Sequence, residues 1–225
     1  MDKSGEAEVW RLQLHDRAFI CNEDSKEPPA ARAKSPCDWC RHTLTHIQWI
    51  HPSDRARLKN LNVIANIQEG WLAPRSIGGP PGYDYVKDTA DGPLGPARAA
   101  SMYPYRPLRD AGARLAAGSD WWYTDENPWN DIEAGVTSRD PGDPDSGPML
   151  PGHALDVKTL LTARTLDGAY QMQNERETGS IEVGKRADFV VIDRDILKIP
   201  ADRIHETRVL MTFFDGKRVA GQKTP

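Results

Sequence analysis

The sequence predicts an α/β fold, on observations that lie far apart along the chain. Residues 43–47 and residues 63–67 are two short runs rich in β-branched residues, and each predicts a strand. A helical pattern lies between them, and a strand–helix–strand order implies parallel strands. Much later, Asp215-Gly216 separates two strand-like runs and predicts a β-hairpin.

The elements before and within this first unit follow from local patterns. Residues 9–14 alternate apolar and polar side chains, which predicts a short strand. Residues 22–29 are polar, end in two prolines and break regular structure, so we expect residues 1–36 to be a poorly ordered segment with a remnant strand. The helix of the unit is predicted to begin with Ser53 as its N-cap and to run over residues 55–61.

The middle of the chain alternates long loops with short regular elements. Residues 72–95 are rich in glycine and proline and predict a long loop, and residues 138–152 predict a second. Between them we expect a helix over residues 104–111, closed by Gly112, and a buried strand over residues 113–118 that leads into Ser119-Asp120. The apolar positions over residues 155–170 lie near helical spacing.

The pattern changes to β-structure after residue 179. Alternation predicts a strand at residues 180–183, and apolar runs predict strands at residues 189–192 and 208–214. Residues 217–219 follow the hairpin turn and complete the last pair. We therefore expect residues 179–225 to form a separate C-terminal β-module.

Composition excludes several classes of protein. The chain has 225 residues, 29 Lys and Arg against 33 Asp and Glu, and a net charge of −4, so we expect no nucleic-acid partner. It has no apolar run of about 18 residues, so we expect no membrane partner. The first residues are charged and do not resemble a secretory signal, and three cysteines do not favour a disulfide framework. These features predict a cytoplasmic protein.

His46 and Asp120 are the residues whose positions suggest chemistry. Each lies in or just after a strand-like run, and polar side chains at the carboxyl ends of parallel strands point into the same mouth of an α/β barrel. Histidine, aspartate and water suit a catalytic Zn²⁺-type centre, and the carboxylate can also move protons. From spacing alone, His46 could equally be a packed, hydrogen-bonded histidine and Asp120 the cap of a turn.

Two other patterns offer alternatives. Cys37 and Cys40 form a single C-x-x-C, with His42 two residues beyond, which could be a small metal module but lacks a second cysteine pair. Trp71 and Trp121 lie in loops after strands, where they could line a pocket for an apolar substrate or anchor the loops.

Several segments together resemble one enzyme family. Residues 45–54, Thr-His-Ile-Gln-Trp-Ile-His-Pro-Ser-Asp, are similar to a segment of the metal-dependent amidohydrolases, in the amidohydrolase-3 branch that includes formamide deformylase-like and other C–N hydrolases. Residues 94–98, 118–121 and 134–140 resemble that branch too, and residues 179–192 match the C-terminal signature of the superfamily closely. The resemblance runs from about residue 41 to residue 219.

The resemblance implies a fold and a set of roles. The family fold is a (β/α)₈ TIM-like barrel with a small β-sandwich, so residues 37–178 are expected to be the C-terminal half of such a barrel. Asp120 matches the aspartate that contacts the metal and acts as general base, and His46 matches a metal-binding histidine. A divalent metal, expected to be Zn, would lower the pKa of its bound water to about 7. Trp71, Trp121 and Arg98, which lies in a matching segment, are expected to contact a small-molecule amide or related C–N substrate, with the loops 72–95 and 121–152 shaping the pocket.

The sequence also departs from the family pattern. No two of the six histidines are two residues apart, so the His-x-His metal motif of the family is absent. Residues 14–18, Leu-His-Asp-Arg-Ala, resemble the family segment that carries another metal histidine, so His15 is expected to be a third ligand beside His46 and Asp120.

The length of the chain is also short for the family fold. A whole barrel takes about 250 residues, so we expect an incomplete copy that contains the C-terminal portion only. Half of a barrel leaves open strand edges, which favour self-association or pairing with another chain. The sequence therefore predicts a C–N hydrolase whose metal site must be completed, or a non-catalytic truncated fragment that only associates with another chain.

Overall fold

The computed structural model of the protein describes residues 41–75, 86–121, 126–143 and 145–221. The strands are β1 (Thr43–Thr45), β2 (Ile64–Ile67), β3 (Leu115–Ala117), β4 (Phe189–Ile192), β5 (Val209–Phe214) and β6 (Lys217–Gly221). The α-helices are α1 (Arg55–Asn60), α2 (Asp91–Leu94), α3 (Pro96–Ala99), α4 (Tyr105–Asp110), α5 (Pro128–Thr137), α6 (Val157–Arg164) and α7 (Leu166–Gln171). The strand predicted at residues 9–14 lies outside the described residues.

The first three strands form a parallel sheet in chain order, β1-β2-β3. Thr43 pairs with Ile64, and Asn66 pairs with both Thr45 and Ala116, so the strands are in close register. Helix α1 connects β1 to β2, which confirms the predicted strand–helix–strand unit with parallel strands. Because all three strands run the same way, their carboxyl ends meet at one edge of the sheet, which we call the carboxyl edge.

Two predicted boundaries near β1 were wrong for local reasons. The strand stops at Thr45, since His46 and Ile47 have φ angles of 70° and 46°, which turn the chain out of extended conformation. Ser53 is not the N-cap of α1, because a short 3₁₀ turn over Pro52–Asp54 precedes that helix. The cap of this turn is His51, whose Nδ1 accepts a hydrogen bond from the Ser53 backbone N–H at 3.3 Å.

Helix α5 lies inside the segment 121–152 that the sequence predicted to be a loop, so that prediction was wrong over ten residues. The side chain of Asn127 caps the helix by accepting from the Trp129 N–H at 3.1 Å, and Pro128 stands at its first position, where the missing N–H costs nothing. Helix α5 buries Trp129 and Ile132, which belong to the same apolar cluster as Ile67 of β2 and Leu72.

The last three strands form an antiparallel sheet, β4-β5-β6, and Asp215-Gly216 makes the predicted turn between β5 and β6. The strand predicted at residues 180–183 is absent from the described structure. Ser180 donates a hydrogen bond to Glu182 within this segment, and Gly184 has a φ of 94°, so the chain turns there. Ile181 and Val183 remain exposed as a result.

The segment between β4 and β5 packs against the elements around the first sheet and is also bonded to one carboxylate of α5. Ile196 and Ile204, which lie in this segment, belong to the same buried apolar cluster as residues of β2 and α4. Glu133 of α5 accepts hydrogen bonds from the backbone N–H groups of Gly142 and His205, at 3.0 and 2.7 Å. The His205 ring Nδ1 also lies 2.7 Å from Glu133 Oε2. Within the described residues, none of the helices is both long and apolar enough to span a membrane.

Candidate active site at the carboxyl edge

One residue that could carry chemistry follows β1 and another follows β3, and both come to the carboxyl edge. His46 directly follows β1, and its backbone N–H donates to the Asn66 carbonyl of β2 at 3.1 Å. Gly118 extends β3 in the same way by donating to the Ile67 carbonyl at 3.0 Å, and Asp120 comes two residues later. These two ladder bonds bring His46 and Asp120 towards each other across the end of β2.

His46 and Asp120 face each other without a hydrogen bond. His46 Nδ1 lies 3.8 Å from Asp120 Oδ2, which is beyond hydrogen-bond length. The two side chains are 38% and 27% exposed, so both remain accessible to solvent. At this separation both atoms could contact one metal ion with bonds of about 2.0–2.1 Å.

Trp71 completes the arrangement around Asp120. It lies on a 3₁₀ turn over Glu69–Leu72 that follows β2, and its Nε1 donates to Asp120 Oδ2 at 3.2 Å. The indole also stacks on Tyr103, with ring centroids 6.1 Å apart and planes inclined by 22°. The structure therefore brings together three of the predicted site residues, His46, Asp120 and Trp71.

The backbone is strained where these side chains are held. His46, Ile47, Tyr103 and Asp120 all have positive φ, at 70°, 46°, 47° and 59°. Left-handed backbone at residues other than glycine costs on the order of 1–3 kcal/mol each, and it persists only where the surrounding structure imposes it. Such strain concentrates at functional sites, and here it coincides with the predicted histidine and aspartate.

Sequence reasoning missed the buried polar groups behind the site. The Tyr105 hydroxyl donates to the Gln68 carbonyl at 3.1 Å, and burial raises the pKa of Tyr105 well above its usual value, so the hydroxyl stays a donor. The Gln68 side chain is buried and donates from Nε2 to Asn66 Oδ1 at 2.6 Å. The position of Gln68 directly after β2 is the signal that could have pointed to it.

A buried ion network anchors the turn that carries Trp71. The Arg164 guanidinium of α6 pairs with Glu69 through Nε and with Asp131 of α5 through Nη2, the latter at 2.6 Å. Glu69 and Asp131 are 0% and 2% exposed. Burial raises the pKa of Glu69, and the positive charge of Arg164 opposes that rise. The two carboxylates in turn raise the pKa of Arg164.

Arg98 and Trp121 are the other predicted substrate contacts. Arg98 donates from Nε to the Leu94 carbonyl at 2.9 Å, and no hydrogen bond or ion pair links it to His46 or Asp120 within the described residues. Trp121 follows Asp120 directly, but its side chain is 64% exposed. Their roles as substrate contacts stay predictions.

The remaining candidate ligands fall elsewhere. His15, Cys37 and Cys40 lie outside the described residues. His42 precedes β1, and burial lowers the pKa of its ring.

The described residues supply only part of a metal centre. His46 and Asp120 offer the nitrogen and oxygen donors that zinc accepts, but catalytic zinc sites use three protein ligands. Over the ranges that the structure covers, no group of three or more histidine, cysteine, aspartate or glutamate residues could hold an ion. These two donors alone therefore do not fit a complete metal site.

Comparison with known proteins identifies the family. The sequence profile of the amidohydrolase family matches residues 22–220. The chain belongs to the amidohydrolase family. The chain is 30% identical over 115 residues to the N-substituted formamide deformylase of Arthrobacter pascens, covering 51% of this chain and 21% of that protein. It is 28% identical over 183 residues to Protein LONG AFTER FAR-RED 3 of Arabidopsis thaliana, covering 80% of this chain and 28% of that one. The chain thus spans about a quarter of the length of these curated relatives.

Solved structures show the same fold. An adenosine deaminase from Xanthomonas campestris with bound zinc superposes with a TM-score of 0.51 at 21% identity, over 80% of the present chain and 37% of that chain. A Xaa-Pro dipeptidase with bound methionine gives a TM-score of 0.55 at 15% identity, over 80% and 40% of the two chains. At these identities the likeness concerns the fold alone.

Proposed function

We propose that this amidohydrolase chain contributes part of the active site of a metal-dependent hydrolase that cleaves carbon–nitrogen bonds, other than peptide bonds, in a small-molecule amide. The observation that carries the proposal is the approach of His46 and Asp120 at the carboxyl edge, on backbone held at positive φ. Membership of the amidohydrolase family supports it, as does the formamide deformylase among the relatives.

We also propose how the chain is divided between a partial barrel, a β-sandwich and an N-terminal segment. The parallel strands β1, β2 and β3 follow one another in space as in the chain, as consecutive strands of a (β/α)₈ barrel do. Residues 37–178 would be the C-terminal half of that barrel, and the antiparallel strands within residues 179–225 part of a small β-sandwich. Residues 1–36 would form a separate segment.

The ligand set is proposed to extend beyond the described residues. His46 and Asp120 are two donors, and His15 is the third that the sequence offers for a divalent ion, with Zn the expected one. The family's missing His-x-His pair would have to come from outside this chain.

Asp120 is proposed to move the proton during hydrolysis. Its carboxylate would accept a proton from the attacking water as the water oxygen bonds to the carbonyl carbon. The same proton would pass to the nitrogen as the C–N bond breaks, which releases the amine. A positioned general acid–base of this kind contributes about 10²–10⁴-fold to a rate.

The experiment pairs metal content with hydrolysis. The protein, purified together with any chain that copurifies with it and so can supply the missing ligands, is assayed for bound divalent metal and screened with simple amides. D120N is compared with a matched control, D202N, at an exposed aspartate of the C-terminal segment. We expect bound metal in this preparation and turnover that falls by at least about 100-fold in D120N but not in D202N. Equal turnover of D120N and the starting protein would contradict the proposal.

A second candidate function is a non-catalytic chain that acts by association. In the part of the chain that the structure describes, β1 and β3 each pair on one side only, and only two metal donors meet. Unpaired strand edges are templates for pairing with another chain. Concentration-dependent dimers in light scattering, together with no metal and no turnover, would favour this candidate.

A further inference from the structure

We propose that Trp71 is a positioning residue that holds the Asp120 carboxylate in its working orientation, and that Tyr103 holds Trp71. The catalytic role of Trp71 rests on the proposed function, but the hydrogen bond from Trp71 to Asp120 can be tested without measuring turnover.

The hydrogen bond from Trp71 makes the two carboxylate oxygens of Asp120 different from each other. The indole N–H can only donate, so it holds the one oxygen that accepts its hydrogen bond in place. Trp71 Nε1 donates to Oδ2, which is also the oxygen that faces His46 Nδ1. Within the described residues, Oδ1 receives no hydrogen bond. The indole therefore determines which oxygen turns towards His46 and which is left to accept a proton.

Asp120 needs such support because, among the described residues, Trp71 is the one donor that hydrogen-bonds to its side chain. Its backbone is left-handed, with φ of 59°, and it lies in a loop beyond the end of β3. The side chain is 27% exposed and makes no hydrogen bond with His46 at 3.8 Å. A carboxylate in this setting can rotate about its side-chain bonds unless a donor fixes it. Misplacing a reacting group by about 1 Å can cost about 10²-fold in rate.

Trp71 is itself held from two sides. Its ring stacks on Tyr103, which is 1% exposed and donates its backbone N–H to the Gln48 carbonyl at 2.9 Å. The 3₁₀ turn that carries Trp71 is fixed at both ends. Glu69 pairs with Arg164, and the Leu72 carbonyl accepts from Ser138 Oγ at 3.2 Å. The donor therefore lies on a rigid support while the acceptor lies on a loop, as a positioning role requires.

The substitution W71F keeps an aromatic ring and removes the N–H. The chain supplies a matched control, because Trp49 Nε1 donates at a similar 3.1 Å to the neutral backbone carbonyl of Arg98. We expect W71F to lower kcat about 10-fold or more with KM changed less than about 2-fold, and W49F to leave kcat unchanged. Thermal midpoints close to that of the starting protein exclude unfolding as the cause. A W71F enzyme with unchanged kcat would overturn the inference.

A spectroscopic readout tests the contact directly. In protein labelled with ¹⁵N-tryptophan, the indole N–H signals of Trp71 and Trp49 are assigned by their loss in W71F and W49F. We expect D120A to move the Trp71 signal upfield, because its charged acceptor is gone, and to leave the Trp49 signal in place. Y103F, which keeps the ring, is expected to preserve the Trp71 signal, and Y103L to shift or broaden it.

The outcomes separate this inference from the proposed function. If the Trp71 signal responds to D120A while the protein shows no turnover with any amide, the positioning contact stands and the hydrolase proposal falls. If turnover depends on Asp120 but the Trp71 indole N–H signal does not shift in D120A, the hydrolase proposal stands and Trp71 has no positioning role.

Discussion

Replacing Arg164 with methionine tests the buried ion network that supports the site. The substitution keeps much of the side-chain volume but leaves the carboxylates of Glu69 and Asp131, at 0% and 2% exposure, without their shared cation. Breaking a buried ion pair by removing one partner costs about 3–5 kcal/mol. For a chain of this size each kcal/mol lowers the melting temperature by about 2–4 °C, so R164M should melt roughly 6–20 °C lower.

Arg109 provides the control, since it also bridges two carboxylates but near the surface. It pairs with Asp110 and Asp156, whose side chains are 57% and 56% exposed. Exposed pairs contribute about 0–1 kcal/mol, so R109M should lower the free energy of unfolding by less than about 1 kcal/mol. Urea denaturation of both variants at neutral pH measures the difference. Equal losses in R164M and R109M would refute the claim that burial makes the Arg164 network costly to break.

The defect in R164M should also depend on pH. Burial raises the pKa of Glu69, and the variant lacks the positive charge that opposes this rise. A carboxyl group with a raised folded-state pKa favours the fold below its unfolded pKa, and that contribution is lost as pH rises through the folded value. The stability gap between R164M and the starting protein should therefore narrow in acid, below about pH 4, and widen towards neutral pH.

Three further substitutions test other parts of the fold. Glu133→Ala removes the acceptor of the hydrogen bonds from Gly142 and from His205, which lies between β4 and β5, and should lower the free energy of unfolding by about 2–3 kcal/mol; a loss below 0.5 kcal/mol in urea denaturation would contradict this. Gly135→Ala would place a methyl group 2.7 Å from a leucine Cδ1 and should cost about 1–3 kcal/mol, whereas Gly147→Ala, with nothing within 4 Å, should change stability by less than about 0.5 kcal/mol in the same assay. The hydrogen bond from Arg41 lowers the pKa of Glu175 from 4.5 to about 2, so this pair stabilises the fold above pH 4.5 and loses its effect as pH falls towards 2. Arg41→Met should flatten that part of the stability–pH curve, and an unchanged curve would show that the pair contributes nothing.

Local patterns were sufficient for the elements with strong signals. The β-branched runs around Thr43 and Ile64 and the Asp215-Gly216 turn correspond to β1, β2 and the final hairpin, because neighbouring residues determine each of them. The run at residues 180–183 alternates as a strand should but pairs with no strand among the described residues, and pairing is a property of the whole fold that the pattern does not contain.

The candidate site was predictable only in part for the same reason. His46 and Asp120 could be picked out because each lies close to the carboxyl end of a strand. The hydrogen bond from Trp71 to Asp120 spans 49 residues and depends on how the turn after β2 packs, and the Arg164 network joins residues that are 95 and 33 positions apart. No spacing rule in the sequence encodes contacts of this kind.

The left-handed backbone at His46 and Asp120 sets fold stability and chemistry against each other. Glycine adopts such φ angles at no steric cost, whereas histidine and aspartate, although more tolerant than most residues, keep the Cβ that opposes them. At both positions the residue that would best relieve the backbone is therefore not the one that supplies the donor atom. A search for more stable variants would select glycine at these two positions, and each gain in melting temperature would remove part of the site.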